Sequence, residues 1–374
     1  MSHMSHGMHI AFFASSLVSA YWNGAATYYR GIVRALHARG HRVTFYEPDA
    51  FGRQQHRDMA DPDWAEVVVY SAASEAAVLR TVQSARGADL VVKASGVGVH
   101  DELLERAVLD LQRPGTAVVY WDVDAPATLD RMQADPADAL RALVPRYDGV
   151  FTYGGGEPVR QAYRALGARD CVPVYNALDP STHFPVAPDP RFAGDLGFLG
   201  NRLPDREARV EQFFLQAAAE LPQRRFLLGG SGWHDKPLPA NVRHLGHVYT
   251  ADHNAFNCTP LAVLNISRES MARYGFSPAT RVFEAAGAAA CLITDDWEGV
   301  AQFFEPGREL LVARDGDEVA QQLDKLDPAR ARAIGQAAYR RVLAEHTYAH
   351  RAAQLDAILE GRASGARVEN EATT

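Results

Sequence analysis

Short apolar runs alternate with segments of helical periodicity along the whole chain. In the N-terminal half these runs predict strands at residues 9–14, 42–47, 90–92, 117–121 and 149–152. A helix with an apolar stripe at 32–36 is expected between the first two strands, ending at Gly40. Apolar strands joined by helices are typical of a parallel sheet with crossover connections. The first half is therefore predicted to be a doubly wound α/β domain.

The second half repeats this pattern. Strands are predicted at 195–200, 225–228, 262–266 and 290–294, and helices at 206–221, 279–286, 319–326 and 329–359. Between the halves, five prolines crowd residues 173–190 without sustained periodicity, which indicates a linker. We therefore predict one Rossmann-like domain at 8–180, a second at 190–340, and a polar, disordered tail at 361–374.

Composition narrows the class of protein. A chain of 374 residues exceeds what one hydrophobic core usually serves, which agrees with two domains. The 38 basic and 46 acidic side chains give a net charge of -8, which argues against broad binding to nucleic acid. The 3 cysteines stand far apart, so neither a disulfide framework nor a zinc site is predicted, and a cytoplasmic location is expected.

The chain carries no sequence signal for membrane insertion. No apolar run reaches the roughly 20 residues that a spanning helix requires, so no transmembrane segment is expected. The opening MSHMSHG is interpreted as a tag remnant rather than a signal peptide. Peripheral contact with a lipid-linked acceptor stays open.

Parallel sheets bind ligands beyond the carboxyl ends of their strands, and this rule selects the loops to search. These loops lie at 15–24, 94–100, 122–126, 200–206, 229–234, 246–249 and 273–281. A helix start near Ser277 and Thr280 is expected to be open to a phosphate. Arg281 and Glu284 stand three positions apart, so both can face one side of that helix, the cation toward a diphosphate and the carboxylate toward ribose hydroxyls. The alternative is a surface ion pair between them.

Candidate catalytic residues follow strands of the first half. Asp122 and Asp124 come after the strand at 117–121, and Asp124 is the preferred base for an acceptor hydroxyl, with His100 second. The alternative for Asp124 is a turn or helix cap.

The first loop is the expected acceptor loop. It contains Trp22, Asn23 and Gly24. The indole of Trp22 is predicted either to stack on an acceptor or to pack the loop onto its own domain.

Several ordered motifs resemble one family. The stretch from 264 to 308 is similar to the CgeB group of glycosyltransferases, named for a spore-maturation protein, and so are the pieces at 120–126 and 345–351. The matching positions in the longest stretch are Asn265, Arg268, Ser277, Arg281, Phe283, Glu284, Thr294, Asp295, Phe304, Glu305, Pro306 and Gly307.

This resemblance implies a GT-B fold. Two Rossmann-like domains would face each other across a cleft, the second would hold most of the nucleotide sugar, and a helix at 341–360 would cross back to the first. Glu284 would bind the ribose, the turn at 246–249 would lie at the base, and an arginine would meet the diphosphate. The residues predicted to bind the donor are Gly200, Asn201, Arg202, Arg206, Gly230, Gly246, His247, Val248, Arg268, Ser277, Thr280, Arg281 and Glu284.

One position departs from the pattern of related retaining transferases. They carry a glutamate eight positions before the one that matches Glu284, and here that position is Phe276. Glu269 is a nearby substitute, and both the residue that contacts the sugar and the stereochemical outcome stay open.

The predicted function is transfer of a sugar from a UDP-, GDP- or dTDP-linked donor to a hydroxyl acceptor, in carbohydrate biosynthesis. The donor is a co-substrate, no permanent cofactor is expected, and no metal is required, because helix dipoles and arginine can stabilise a leaving diphosphate. Two alternatives remain: a sugar-nucleotide epimerase of the same architecture, and a carbohydrate-associated coat or scaffold protein with a degenerate site.

Overall fold

A computed structural model of the chain describes residues 7–372, with side chains as far as residue 361. Positions 1–6 of the predicted tag remnant and positions 373–374 lie outside the described residues. The chain divides into two compact units, Met1–Tyr175 with Tyr348–Thr374, and Asn176–Thr347. The first division lies five residues before the end of the first predicted domain at 180.

The first unit is built on a parallel sheet of seven strands in the order β3-β2-β1-β4-β5-β6-β7. The strands are β1 His9–Phe13, β2 Arg42–Asp49, β3 Glu66–Ser71, β4 Leu90–Ala94, β5 Ala117–Asp122, β6 Gly149–Thr152 and β7 Cys171–Pro173. The helices are α1 Ala26–Ala38, α2 Glu75–Ser84, α3 Asp101–Ala107, α4 Ala125–Ala134, α5 Ala139–Leu143 and α6 Gly156–Ala165. The central strands are buried, as their apolar runs predict.

The second unit has a parallel sheet of six strands in the order β10-β9-β8-β11-β12-β13. The strands are β8 Leu196–Leu199, β9 Phe226–Gly229, β10 Val242–Gly246, β11 Ala262–Asn265, β12 Leu292–Asp295 and β13 Leu311–Ala313. The helices are α7 Pro204–Val210, α8 Gln216–Glu220, α9 His253–Cys258, α10 Glu269–Tyr274, α11 Thr280–Gly287, α12 Gly316–Asp324 and α13 Pro328–Glu345. A π-helical turn at Glu211–Leu215 joins α7 to α8, so the predicted helix at 206–221 is continuous but contains a local π-helical irregularity. The two Rossmann-like sheets predicted from the sequence are present.

The last helix, α14 Tyr348–Ala372, belongs to the first unit. It packs on α1, where Gly31 leaves room for the ring of Tyr348. After α1, the Nε2 of His41 lies 2.7 Å from the carboxylate of Asp356 on α14. The single helix predicted at 329–359 is therefore two helices, interrupted after Glu345. Helix α14 extends as far as Ala372, into the segment at 361–374 that the sequence predicts to be a polar tail. No helix within residues 7–372 is long and apolar enough to cross a bilayer.

Candidate functional site

Asp122, a predicted catalytic carboxylate, is fully buried at the end of β5. Its carboxylate accepts from the hydroxyls of Ser95 at 2.9 Å, Thr128 at 3.0 Å and Tyr163, and from the backbone N–H of Asp124 at 3.0 Å. Burial raises the pKa of Asp122, and these hydrogen bonds oppose the rise. The sequence placed Asp122 at the correct edge of the sheet, but its burial gives it a role in holding the loops rather than in touching a substrate.

Asp124 and His100 occupy more accessible positions at the same edge. Asp124 stands at the N-cap position of α4, but its side chain makes no capping hydrogen bond and is half-buried. His100 precedes α3 in a left-handed conformation with φ 54°, and its Nε2 lies 2.9 Å from the carbonyl of Ala72. Both residues are therefore half-buried at this edge, in contrast to the fully buried Asp122.

The predicted acceptor loop holds an exposed indole. Trp22 is 80% exposed with φ 48°, so it does not pack the loop onto the unit. The amide of Asn23 accepts from the hydroxyl of Ser15 at 2.8 Å and donates to the carbonyls of Ser16 and Ser19, which fixes the loop from inside. Gly24 is exposed, and a Cβ there would meet no neighbour within 4 Å.

Arg53 was missed by the sequence analysis and organises this edge. Its buried guanidinium donates to the carbonyls of Ser15, Val97 and Trp22, each at 3.3 Å. It also lies 5.0 Å from the ring centroid of Phe51, which is 55% exposed with φ 57°. An isolated arginine in a polar stretch carries no sequence signal of such a role.

Three predicted glycines form a side-chain-free edge of the second sheet. Gly200, Gly230 and Gly246 end or follow β8, β9 and β10. The N–H of Gly200 donates to Gly229 at 2.9 Å, and that of Gly230 donates to Gly246 at 2.7 Å. Gly230 has φ 121°, and a Cβ there would collide with the carbonyl of Gly200. Gly230 thus lets two loops pack backbone against backbone, whereas a Cβ on Gly246 would meet no neighbour within 4 Å.

The remaining loop residues predicted for the donor lie beside these glycines. Asn201 is exposed, and its amide oxygen accepts from the N–H of Ser231 at 2.9 Å. In the turn after β10, Val248 is buried whereas His247 is exposed and packs edge-on against Tyr249, with centroids 4.6 Å apart. This turn offers an exposed aromatic surface next to open backbone.

Two of the predicted arginines are already bound to carboxylates. Arg202 pairs with Glu207 at 2.7 Å and with Asp235 at 2.9 Å. Arg268 pairs with Asp205 at 2.6 Å. These ion pairs fix the loop after β8 and leave less charge available to a ligand.

Arg206 and Arg281 form a different pair, because they lack carboxylate partners among the described residues. Arg206 makes one long hydrogen bond to the carbonyl of Asn201 at 3.4 Å, and its Nε is buried without a partner. Among the described residues Arg281 makes no hydrogen bond, and its guanidinium carbon lies 5.4 Å from the ring centroid of Phe198. Burial, and then the charge of Arg206, lowers the pKa of Arg281 to about 10. Two like charges held near each other without a carboxylate partner among the described residues are suited to an anion.

Helix α11 begins next to these cations. Its N-cap position is Ala279, and no side chain caps its first turn. The N–H of Val282 donates to the carbonyl of Ala279 at 3.0 Å, which leaves the amides of Thr280 and Arg281 for an anion. Ser277 is buried and donates to the carbonyl of Gly275 at 2.9 Å, so it shapes the approach to the helix rather than meeting a ligand.

Glu284 lies one turn into α11 with two histidines around it. Its Oε1 is 3.7 Å from Nε2 of His183, a buried residue that the sequence analysis did not select. His253 lies on the other side, with Nε2 3.3 Å from the carbonyl of Val248 and its ring centroid 6.5 Å from that of His183. Burial lowers the pKa of His253, and the charge of Glu284 acts in the opposite direction.

The position of the missing glutamate is filled by an aromatic ring. Phe276 has φ 47°, and its side chain occupies the space over Gly299. Glu269 begins α10 and is exposed.

A second buried carboxylate supports the strands below the site. Asp295 pairs with Arg209 at 2.7 Å and accepts from the N–H of Ser267 at 3.1 Å. Asn265 donates to the hydroxyl of Thr294 at 3.0 Å in the same network. These motif residues therefore hold β11 and β12 in register rather than bind a ligand.

The structure thus brings the glycine edge, the cation pair, the start of α11 and Glu284 together within the second unit. Within the described residues, no group of three or more His, Cys, Asp or Glu side chains is arranged to hold a metal ion. The arrangement suits an extended ligand with an anionic centre and hydroxyl groups.

Comparisons with known proteins agree with this architecture. Residues 206–357 match the family described as "Glycosyl transferase-like". No curated protein matches the chain significantly. Sucrose-phosphate synthase from Thermosynechococcus elongatus superposes with a TM-score of 0.70 at 14% identity, over 96% of this chain and 100% of that one.

Two further solved structures are similar over nearly the whole chain. HepE from Anabaena, in complex with UDP and glucose, has a TM-score of 0.67 at 16% identity, over 95% of this chain and 100% of that one. AviGT4, a glycosyltransferase involved in avilamycin A biosynthesis, has a TM-score of 0.57 at 17% identity, over 93% of this chain and 96% of that one. The chain therefore has the GT-B fold of glycosyltransferases, and most of its second unit matches a glycosyl transferase-like family.

Proposed function

We propose that this protein is a glycosyltransferase that moves a sugar from a nucleoside diphosphate donor to a hydroxyl acceptor. The observation that carries the proposal is the pair of cations at Arg206 and Arg281, beside the uncapped start of α11. A diphosphate supplies the negative charge that this pair lacks. The match of residues 206–357 to a glycosyl transferase-like family supports the same conclusion.

In the proposed reaction, negative charge develops on the leaving diphosphate, beside the two arginines and the start of α11. The acceptor oxygen forms a bond to the anomeric carbon, the bond from that carbon to the diphosphate oxygen breaks, and the bonding electrons leave with the diphosphate. Arg206, Arg281 and the first amides of α11 stabilise the departing charge. The acceptor proton passes to a base, for which Asp124 is the proposed residue because it is half-buried and makes no cap. We propose that this chemistry needs no metal.

Donor recognition is assigned to the rest of the second unit. Glu284 binds the ribose hydroxyls, and the turn after Gly246 lies at the base. HepE was solved with UDP-glucose, so UDP-glucose is the first donor to test. The motifs of the second unit favour membership of the CgeB group within the glycosyltransferases.

Acceptor recognition is assigned to the first unit. Trp22 and Phe51 hold large exposed rings in left-handed conformations, both tied to Arg53. Exposed rings of this kind suit the apolar face of an acceptor. The three cysteines are unpaired, which fits the reducing cytoplasm that we propose as the site of action.

A ligand screen tests the class of protein. Thermal unfolding is followed with UDP-, GDP-, dTDP- and CMP-sugars, with and without EDTA, because a ligand of the native state raises the melting temperature. Arg281→Gln should lose most of the donor-induced shift. Arg314→Gln, which removes an exposed arginine paired with Glu318, is the matched control and should keep it. A donor turned into its isomer without acceptor would identify an epimerase, and no shift with any donor would favour the scaffold.

A further inference from the structure

The segment at 176–184, by which the chain enters the second unit, lies along helix α11. Before the helix, the amide of Asn176 donates to the carbonyl of Pro278 at 3.3 Å. At the other end, Leu178 and the carbonyl of His183 fill the space that a Cβ on Gly287 would need. This segment therefore packs along both ends of the helix that carries Arg281 and Glu284.

A hydrogen-bonded turn fixes His183 within this segment. The carbonyl of Asp179 accepts from the N–H groups of Thr182 and His183, each at 3.1 Å. From α9, the amide of Asn254 donates to the carbonyl of Thr182 at 2.9 Å. The imidazole is held in place and only 6% exposed, so its orientation is set before any ligand binds.

His183 is the side chain that meets the Glu284 carboxylate. Its Nε2 lies 3.7 Å from Oε1, inside ion-pair range and too long for a direct hydrogen bond. Its Nδ1 lies 3.0 Å from the hydroxyl of Thr182, which can donate or accept. Because a carboxylate only accepts, the nitrogen that faces Glu284 is the one expected to carry a proton. His253 and Arg281 act on the same carboxylate electrostatically.

We propose that His183 is a positioning residue of the donor site, which aims the Glu284 carboxylate at the ribose hydroxyls. The inference rests on the proposed function. The imidazole N–H faces one oxygen of the carboxylate at 3.7 Å and leaves the other acceptor sites of Glu284 for ribose. Without it, Glu284 rotates freely, and the ribose hydroxyls lose a preorganised partner.

Isosteric substitutions separate positioning from packing. His183→Gln can place an amide nitrogen near the position of Nε2, facing Glu284, whereas His183→Asn places it near Nδ1, facing Thr182. Calorimetry measures the dissociation constants of UDP and of 2′,3′-dideoxy-UDP for the wild type and both variants, and for His183→Ala. GDP and its dideoxy analogue replace this pair if the wild type binds GDP more tightly. The preference for the ribose hydroxyls is the ratio of the dissociation constant of the dideoxy analogue to that of UDP. This ratio should fall by about 3- to 10-fold in the Ala and Asn variants and should be retained in the Gln variant.

Each outcome decides one question. His346→Asn, a change at an equally buried histidine of this unit that contacts the carbonyl of Phe303, should leave the preference intact. A wild type that binds none of UDP, GDP and dTDP refutes the proposed function itself. A preference that survives in the Ala and Asn variants of His183 overturns the positioning role. So does an equal loss for UDP and its dideoxy analogue, which indicates packing alone.

Discussion

Arg281 is expected to destabilise the ligand-free protein and to stabilise the donor complex. It is half-buried, has no acceptor within the described part of the chain, and lies in the field of Arg206. The fall of its pKa to about 10 corresponds to roughly 3 kcal/mol of unfavourable free energy at neutral pH. Because the folded-state pKa is below the unfolded one, this penalty is fully present below pH 10 and is relieved only as the pH rises above it.

Replacing Arg281 by Gln removes the charge and keeps most of the side-chain volume. Part of this unfavourable free energy is removed with the charge. The ligand-free variant should therefore be more stable by about 1 kcal/mol, a gain of about 2 to 4 °C in melting temperature. The same change removes charge-assisted hydrogen bonds to the diphosphate. Donor affinity should therefore fall by about 10- to 100-fold.

Two assays read these opposite effects. Thermal unfolding without ligand gives the stability difference, and calorimetry with UDP and UMP gives the affinity difference. UMP lacks the second phosphate, so the variant should lose more affinity for UDP than for UMP. A variant that is less stable without ligand would refute the idea of an unbalanced charge. Equal losses for UDP and UMP would remove Arg281 from the diphosphate site.

Four further substitutions test separate parts of the protein. Glu284→Ala should weaken donor binding by about 1 to 3 kcal/mol without unfolding the chain, as measured by calorimetry beside circular dichroism. Asp122→Ala leaves three hydroxyls without their acceptor and should cost about 2 to 4 kcal/mol in urea unfolding. Asp124→Asn should lower kcat by about 100-fold or more with unchanged stability. Gly230→Ala should cost about 2 to 4 kcal/mol in the same unfolding assay, because its Cβ meets the Gly200 carbonyl. A stability within about 0.5 kcal/mol of the wild type would contradict this prediction.

The strands that the sequence analysis missed share one property. They are β3, β7, β10 and β13, and each is the edge strand of its sheet. An edge strand is covered on fewer sides, so β3 and β10 carry exposed or half-buried positions where a central strand has a continuous apolar run. The pattern of apolar residues therefore identifies the middle of a parallel sheet and underestimates its width.

The same limit applies to the acids and bases of the first unit. Asp122 and Asp124 are two positions apart at the end of one strand, and both were candidates, with Asp124 preferred. The fold separates them, because Asp122 points among three hydroxyls in the interior while Asp124 stays half-buried at the helix start. His183 was missed for a related reason: it lies about 100 positions before Glu284 along the chain, and only the tertiary fold brings them together.

The arginines of the second unit show what decides a ligand site once the fold is known. The sequence made Arg202, Arg206 and Arg281 candidates for the diphosphate, and Arg268 a further candidate for donor binding. An arginine that already holds a carboxylate at ion-pair distance must break that contact before it can serve a ligand, as Arg202 and Arg268 would have to do. Arg206 and Arg281 break no such contact, and a bound anion relieves their mutual repulsion. The absence of a carboxylate partner among the described residues, rather than the motif that contains the cation, therefore favours Arg206 and Arg281 for the proposed diphosphate site.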